Sequence, residues 1–498
     1  MRVHRQSPSS SLSAWRASWQ EGIGTQYKWL VLTVTTVGSL MASLDENVVI
    51  VGLPTLLREL NASLVDGVLV VAGYSLTTTI LLVAFGRVGD MFGKVKLYNL
   101  GFAIFTAASA LCGFALSGSQ LVTFRLIQGI GGALLLVNSV AIVADTFPVS
   151  ELGMALGVNF MAWNFGAIAG YTLGGLIVQL IGWRFIFFVN VPVGIFGTAW
   201  AYIKLKETKK SLKEKFDYSG IILYSTGLTL LLMALTLEGS TFMELSLLTL
   251  GLLIFPVFVF VERRTKHPAL DLDLFRMRSF SAGNIASFLN ALAYNAVPFI
   301  VTFYLQLVRH LDPLSTGLMF IPMEAVVLLV GPLSGRLSDR YGARGLSSLG
   351  LLFNASATFW LSTIRQDTSY TAMLLGLACF GVGRGLFASP NVSSIMRMVP
   401  AERRGVANGV RLTLIFTAAA LSVPLSLSFM SFTMPYDKLS RLTQGSFLPT
   451  PNDTATFLSA IRLAVQVSAF LILLAIIPSL FRGGVNKKPD EIAPVKNK

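Results

Sequence analysis

The sequence predicts an all-α membrane protein made of two pseudo-symmetric six-helix bundles and two extra transmembrane helices. Three observations lead to this fold class. Apolar runs of about 18 or more residues recur from Trp29 to Phe481, and each could cross a bilayer as a helix. Only 13% of the 498 residues are charged, whereas soluble domains are about 25% charged. Two short motifs each occur twice, at nearly the same separation, which indicates an internal duplication.

The apolar runs define fourteen predicted spans. Their bounds are 29–53, 66–87, 97–117, 119–144, 154–181, 183–204, 218–238, 243–262, 280–308, 314–336, 343–364, 370–396, 405–430 and 456–481. An even number of spans places both termini on one side of the membrane. Twenty-nine Lys and Arg residues lie in the tails and loops of that side, and five lie in the opposite loops. We therefore expect a multi-pass protein of the plasma membrane with both termini in the cytoplasm.

The spans and the loops between them give the predicted organisation of the chain. It comprises a cytoplasmic tail (1–28), a first bundle (29–204), a basic linker (205–217), two inserted helices (218–262), a second bundle (280–481) and a cytoplasmic tail (482–498). The first tail is basic, rich in serine and without the apolar core of a signal peptide, so we interpret it as partly disordered. The linker is either a solvated connection or a contact for anionic lipid.

The duplication is visible in two pairs of motifs. Residues 86–94 (GRVGDMFGK) end the second span, and residues 335–344 (GRLSDRYGAR) end the tenth, 249 positions later. Residues 129–134 (GIGGAL) of the fourth span match residues 381–386 (GVGRGL) of the twelfth, 252 positions later. Paired halves with a site at their interface are typical of alternating-access carriers.

The composition argues against several other classes of protein. The net charge is +14, but the basic residues lie in short loops between spans and do not form one soluble face for nucleic acid. Two cysteines and three histidines are too few and too scattered for a disulfide framework or a metal site. No P-loop is visible, and no strand precedes the glycines at 129–132. We expect no metal, no cofactor and no enzyme activity.

Acidic residues inside the first span are the strongest functional signal. Asp45 and Glu46 interrupt an apolar run, although a charged side chain at the bilayer centre costs at least about 2.5–3.5 kcal/mol. We expect Asp45 to open onto a water-filled crevice between the bundles. Arg125 lies at the same depth, about 10 Å below the outer surface. The two could handle a proton together or form a static ion pair. Glu46 points about 100° away and lines the cavity or contacts another helix.

A second charged pair is expected near the midplane, where Glu324 and Arg384 lie in spans ten and twelve. Each would be costly alone, so they either pair as a structural lock or bind substrate. The proton-coupling candidates are Asp45, Arg125, Glu46 and Glu324. The substrate-binding candidates are polar or amphipathic residues of the expected cavity helices: Gln128, Asn138, Asn159, Trp163, Asn164, Asn290, Tyr294, Arg384 and Asn391. Alternatively, each of these polar side chains makes an interhelical hydrogen bond.

Several motifs resemble those of the major facilitator superfamily. Residues 86–94 and 335–344 resemble its G-x-x-x-D-x-x-G-[RK]-[RK] signature. Residues 44–54 (LDENVVIVGLP) resemble the L-D-x-T-x-x-N-x-A-L-P motif of its fourteen-span drug:proton antiporters, with three substitutions. Residues 125–133 resemble the R-x-x-Q-G-x-G-x-A motif that the family links to proton transfer. The glycines between 157 and 175 resemble the antiporter motif of span five, with Tyr171 in place of its proline.

The resemblance implies the major facilitator fold and a secondary active transporter that works by alternating access. It implies proton-coupled antiport, with multidrug efflux of drug-like or amphipathic molecules. The Glu324–Arg384 pair and the missing proline favour instead a proton-coupled carrier of a defined solute, such as an organic anion or metabolite. A non-transporting receptor or scaffold is a third hypothesis, supported only by the linker and tail. The expected partners are the lipid bilayer, a small-molecule substrate and protons, and a monomer is expected.

The resemblance also assigns gating roles to the two repeated loops. The gating residues are Gly86, Arg87, Asp90, Gly93, Arg336, Asp339 and Arg340. Asp90 is expected to cap a helix N-terminus, and Arg87 is expected to hold a facing carboxylate in the outward-open state. Gly86 and Gly93 are expected to permit a tight turn.

Overall fold

The computed structural model describes residues 9–207, 217–237, 241–265, 268–400, 403–445 and 450–482, and only the backbone of residues 9–25. The start of the predicted N-terminal tail, most of the linker 205–217 and nearly all of the predicted tail 482–498 lie outside this part of the chain. The helix of the first span begins at Ser9, well before the predicted start at residue 29, and contains a single proline, Pro54, near its other end.

Within the described residues, nine helices form the first bundle and the insert. They are α1 (Ser9–Glu59), α2 (Leu64–Phe92), α3 (Lys94–Gly113), α4 (Gly118–Thr146), α5 (Val149–Leu180), α6 (Phe185–Phe188), α7 (Asn190–Lys204), α8 (Tyr218–Thr236) and α9 (Thr241–Glu262). Helices α6 and α7 together form the sixth span. Helices α8 and α9 form the insert and pack against each other.

Nine further helices of the described part of the chain form the second bundle. They are α10 (Arg278–Tyr294), α11 (Ala296–Phe303), α12 (Pro313–Met319), α13 (Ile321–Tyr341), α14 (Ala343–Leu361), α15 (Tyr370–Arg397), α16 (Arg404–Ser431), α17 (Tyr436–Gln444) and α18 (Pro451–Leu480). Short 3-10 and π-helical segments at Leu272–Arg276 and Tyr304–Val308 flank α10 and α11. The predicted spans had no counterpart for α17, which lies in the long loop before the last span.

The all-α fold is confirmed, and the described residues contain thirteen helical segments that are long and apolar enough to span a membrane. The predicted span without a counterpart among these thirteen is the eleventh, 343–364, which corresponds to the 19-residue helix α14. Its sequence carries Arg344, Asn354 and several serines, which lower its mean hydropathy. Helix α14 nevertheless packs between α15 and α18.

Equivalent glycines in the two halves support the duplication. A Cβ added to Gly131 on α4 would lie 2.6 Å from the backbone nitrogen of Phe105 on α3. In the second half, a Cβ on Gly383 of α15 would collide with the backbone nitrogen of Asn354 on α14. Gly383 follows Gly131 at the 252-residue separation found in the sequence. In both halves, small residues let two helix backbones approach closely without a strong apolar driving force.

The insert lies beside the interface between the bundles. Helix α8 packs against α2 of the first bundle and α16 of the second. The hydroxyl groups of Tyr224 and Thr417 are 2.5 Å apart and join α8 to α16. At the same end of the insert, Glu262 and Asp217 accept hydrogen bonds from the backbone of Leu270 and Ala269, respectively. Near the other end of α8, Ser428 of α16 donates to the carbonyl oxygen of Leu235, so α8 is anchored at both ends.

The bundles are closed against each other at their predicted outer end. Helix α5 of the first bundle crosses α12 of the second with backbones in contact. A Cβ on Gly175 would collide with the carbonyl oxygen of Pro313, and one on Gly317 would collide with that of Tyr171. Gln306 also donates a hydrogen bond of 2.9 Å to the carbonyl oxygen of Val51. These contacts hold the two bundles together at this end.

Loop contacts near the outer end add to this closure. Gln444 of α17 donates a hydrogen bond to the carbonyl oxygen of Ala62, and Ser440 accepts one from the backbone of Leu64. At the start of α12, the backbone N–H of Ser315 donates to the carboxylate of Asp312, which lowers the pKa of Asp312. The N-cap fixes the helix end that meets α5.

Gly317→Leu is predicted to prevent closure at the outer end, because no side chain fits between α12 and the carbonyl of Tyr171. A cysteine at position 172, in a Cys379→Ser background, should then react with a membrane-impermeant maleimide at least about tenfold faster from outside. Gly331→Leu on the same span is the matched control, since an added Cβ there meets open space. Equal labelling of Gly317→Leu and the control would contradict the assignment of this contact as the outer gate.

Candidate functional site

A buried hydrogen-bond network surrounds Asp45 on α1. Arg125 of α4 donates to Oδ2 of Asp45 over 2.5 Å. Gln128, one turn further along α4, donates to Oδ1 over 2.8 Å. Asn190, the first residue of α7, donates to the same oxygen over 2.7 Å. Three helices of the first bundle therefore meet at one carboxylate.

A second layer of contacts holds the donors of this network in place. Arg125 also donates to the carbonyl oxygen of Val70, and its guanidinium lies 4.5 Å from the ring centroid of Tyr74. Gln128 accepts from Arg125 over 2.6 Å and donates to Ser109 of α3 over 2.8 Å. The positions of Arg125 and Gln128 three residues apart put both side chains on one face of α4.

The network is sealed from solvent, which corrects one expectation. Asp45 is 0% exposed and Arg125 is 1% exposed, so Asp45 does not open onto a crevice between the bundles in this conformation. The depth of Asp45 could be read from the sequence, but its direction around the helix depends on how α1 packs against α4 and α7. The expected pairing of Asp45 with Arg125 is present.

The donors that hold Asp45 come from two different helices. Oδ1 accepts two hydrogen bonds, from Gln128 and Asn190, and Oδ2 accepts one, from Arg125. Since Arg125 and Asn190 lie on different helices, a shift of α4 or α7 relative to α1 would release the carboxylate.

Glu46 lies on the next face of α1 and is half-buried. Within the described residues, it makes no ion pair and no hydrogen bond through its side chain. It lies within electrostatic range of Arg125 and Asp45, and of Tyr171 and Tyr294. Tyr294 belongs to the second bundle, so Glu46 connects the buried network electrostatically to the interface between the bundles.

The expected Glu324–Arg384 pair is also present. Arg384 of α15 donates to Oε1 of Glu324 on α13 over 2.5 Å, and its guanidinium lies 4.9 Å from the ring centroid of Tyr294. Glu324 is buried, whereas the Arg384 side chain is 21% exposed. Tyr171, which replaces the family's proline, stacks on Phe320 of the second bundle with ring centroids 4.7 Å apart. Tyr171 therefore fills space between the bundles just outside this pair.

Most of the asparagines proposed for substrate binding make contacts inside one bundle. Asn290 accepts a hydrogen bond from Asn354, and Asn391 donates to Ser287 and Gly283. Asn138 and Asn164 donate to carbonyl groups of their own helices, and Asn159 accepts from Thr36. These five side chains are buried in the outer-closed conformation. Gln128 belongs to the Asp45 network.

Trp163, Tyr294 and Arg384 are the substrate-binding candidates that remain partly accessible. Trp163 of α5 makes an edge-to-face contact with Phe416 of α16, with centroids 6.4 Å apart. This contact joins the two bundles about midway along α5 and α16. Aromatic groups from both bundles therefore meet at the interface.

The first gating loop differs from expectation in two contacts. Asp90 pairs with Lys94 over 3.0 Å and caps no helix. Glu207 instead accepts from the first backbone N–H groups of α3. Arg87 donates to the carbonyl oxygen of Pro268 in the loop after the insert, and the carboxylate contact expected for the outward-open state stays a prediction. A single long helix, α2, runs through the start of this motif and leaves Asp90 near Lys94.

Only one of the two glycines of the first loop has the expected role. Gly86 lies inside α2, where an added Cβ would meet only Val137 at an ordinary distance, so it forms no turn. Gly93 has a φ of +105° between α2 and α3 and does form the turn. In the second copy, Asp339 pairs with Arg397, while Arg340 lies over the ring of Tyr341. Gly342 repeats the positive φ.

Several residues of the site were missed in the sequence. Asn190 and Ser109 complete the Asp45 network, and Glu207 caps α3. Arg411, a basic residue inside α16, is half-buried and interacts electrostatically with Tyr294. A polar or charged side chain within an apolar run was the available signal for Asn190 and Arg411. Nothing in the linker sequence marked Glu207 as a cap.

Replacing Arg125 by Leu is predicted to destabilise the protein by about 3–5 kcal/mol, because the charge of Asp45 would be left buried without its partner. The double variant Asp45→Asn, Arg125→Leu should recover part of this loss, since the charge is removed along with its partner. Thermal unfolding of the purified single and double variants measures both effects. Equal losses in Arg125→Leu and the double variant would argue against a buried ionised pair.

Comparisons with known proteins agree with this geometry. A model of the Major Facilitator Superfamily matches residues 35–423. The riboflavin transporter RibZ of Clostridioides difficile is 29% identical over 431 residues, which cover 86% of this chain and 93% of that protein. The multidrug resistance protein Stp of Mycobacterium tuberculosis is 34% identical over 388 residues, which cover 76% of this chain and 72% of that protein.

A solved structure shares the fold. It is that of a bacterial homologue of the human lysosomal transporter Spinster in an inward-facing, unoccupied conformation. The TM-score is 0.64 at 17% identity, and the match covers 92% of this chain and 98% of that one. The matching family and fold are those of membrane transporters, and they indicate no catalytic activity. From the family match, the relatives and the paired bundles, we conclude that this chain belongs to the major facilitator superfamily.

Proposed function

We propose that this protein is a proton-coupled antiporter of the fourteen-span drug:proton type, which exports drug-like or amphipathic small molecules across the plasma membrane. The observation that carries the proposal is the Asp45 carboxylate, buried in the first bundle and held by donors from two other helices. A membrane-embedded carboxylate of this kind is typical of proton-handling sites. The release of this carboxylate from its donors depends on helix movement. Coupling to alternating access requires such a dependence.

The mechanism couples one helix movement to two sites. In the outer-closed state, Asp45 is held by Arg125, Gln128 and Asn190 and no proton can reach it. When the bundles rock and the outer contact between α5 and α12 opens, α1 and α4 shift against each other and Asp45 gains a proton from outside. Return to the outer-closed state expels the proton toward the cytoplasm as Arg125 returns.

Glu46 connects proton binding to substrate binding in this scheme. It interacts electrostatically with the Asp45–Arg125 pair and with Tyr294 at the interface between the bundles. A charged ligand near Tyr294 changes the field at Glu46, and Glu46 passes this change to the network behind it. Glu324 contributes the opposite charge to Arg384 and keeps that pair neutral until a ligand competes for it.

The relatives are consistent with export of varied compounds. One is named a multidrug resistance protein, and another is named a tetracenomycin C resistance and export protein. The second candidate function is a proton-coupled carrier of one solute, such as an organic anion or metabolite. It is favoured by the relative named a riboflavin transporter and by the basic side chains of Arg384 and Arg411 at the interface.

Transport into proteoliposomes tests the proposal. With an imposed pH gradient, we expect uptake of at least one probe among ethidium, riboflavin and fluorescein, and we expect a protonophore to abolish it. Asp45→Asn should lower the initial rate at least about tenfold, because its side chain no longer exchanges a proton. Asp437→Asn, which alters an exposed acid on α17, is the matched control. Unchanged gradient-driven uptake in Asp45→Asn would refute the role given to Asp45.

A further inference from the structure

Arg411 is a basic side chain inside a membrane span that has no carboxylate partner among the described residues. It lies seven residues after the start of α16 at Arg404, which is about 10 Å along the helix. Its guanidinium donates two hydrogen bonds, of 3.1 and 3.0 Å, to Oδ1 of Asn408 on the same helix. The amide oxygen of Asn408 carries no net charge, so the charge of Arg411 is not compensated.

Among the described residues, the other arginines deep inside spans have partners, and Arg462 of α18 donates to the carbonyl oxygen of Ile364. Arg125 is paired with Asp45, and Arg384 is paired with Glu324. An arginine in a span is costly and almost always faces a partner or a water-filled cavity. Arg411 is half-buried, and within the described part of the chain its ionic partner is lacking. This difference singles out Arg411 as a position where an external anion would bind with a large gain in free energy.

Aromatic residues lie along the same interface as Arg411. Arg411 interacts electrostatically with Tyr294, whose ring already carries the guanidinium of Arg384 on one face. Further along α16, Phe416 contacts Trp163 of the first bundle edge-to-face. The rings of Phe416 and Trp163 are half-buried. A planar molecule could stack on such rings while its charged end remains close to the guanidinium.

We propose that Arg411 is the anion-binding residue of the substrate site, and that the site takes planar aromatic molecules carrying a carboxylate, sulfonate or phosphate group. The inference deepens the proposed function and rests on it, because it names the substrate class of the same transporter. The guanidinium has donors left for a bidentate contact with such a group, since one acceptor atom takes its present hydrogen bonds. A lysine could supply the charge but not the planar pair of donors.

The same geometry predicts that the site distinguishes anionic from cationic ligands. Glu46 is unpaired on the opposite bundle, and the Glu324–Arg384 pair is neutral as a whole. The one uncompensated positive group at this interface, among the residues the structure describes, is therefore Arg411. Replacing Arg411 should therefore weaken the binding of an aromatic anion. The binding of an aromatic cation of the same shape should be unchanged or tighter.

Two dyes with the same xanthene ring system provide the test. Fluorescein at pH 8 is an aromatic anion, and rhodamine 123 is an aromatic cation. Fluorescence polarisation measures the equilibrium affinity of each dye for the purified full-length protein in detergent, without a proton gradient. The variants are Arg411→Gln and Arg411→Lys. Arg404→Gln, two turns away on α16, is the matched control with the same change in net charge.

We expect Arg411→Gln to raise the Kd for fluorescein at least about tenfold and to change the Kd for rhodamine 123 by less than about twofold or to lower it. Arg411→Lys should lie between the wild type and Arg411→Gln, and Arg404→Gln should match the wild type. Fluorescein binding that is absent from the wild type or equal in Arg411→Gln would overturn the proposal. An equal loss of affinity for both dyes would also overturn the proposal, because it would indicate a structural effect.

The test separates this inference from the proposed function. Arg411-dependent binding of fluorescein without any gradient-driven transport would refute proton-coupled export and leave the anion site standing. Gradient-driven transport that depends on Asp45, with fluorescein binding indifferent to Arg411, would refute the anion site and leave the proposed function standing. Thermal unfolding of each variant shows whether a change in affinity follows from a loss of folded protein.

Discussion

The ion pair between Asp45 and Arg125 is the interaction on which the rest of the structure depends. Both side chains are buried in the first bundle, where neither charge would be tolerated alone. The pair requires Gln128 and Asn190 to satisfy the remaining oxygen of the carboxylate, and thereby fixes how α1, α4 and α7 pack. A movement of these helices changes the partners of a charge, so conformation and protonation are linked by the same contacts.

The interface between the bundles carries the second set of constraints. Glycines at the predicted outer end let α5 and α12 meet through their backbones. Deeper in the membrane, the interface instead holds the Glu324–Arg384 pair, Tyr294 and the unpaired Arg411. The protein thus combines a dry outer gate with a polar region where a ligand could replace internal partners. Glu46 lies between this region and the buried pair.

Much of the fold and part of the site could be predicted from the sequence. Apolar runs gave the spans to within a few residues, because length and composition decide whether a helix can cross a bilayer. The pairs Asp45–Arg125 and Glu324–Arg384 followed from depth and from the high cost of lone charges. The direction of Asp45 did not, because packing sets the rotation of a helix about its axis. Glu207 caps α3 from a distant segment, and no local pattern encodes that contact.

The central claim is that Asp45 exchanges the proton that is coupled to ligand binding. Its most direct test is the number of protons exchanged when a transported probe binds to the purified protein, measured with a pH indicator in weakly buffered detergent solution. The account predicts that the wild type changes its bound protons by up to about one per probe molecule, and that Asp45→Asn shows no such change. An identical proton exchange in the wild type and in Asp45→Asn would contradict the account.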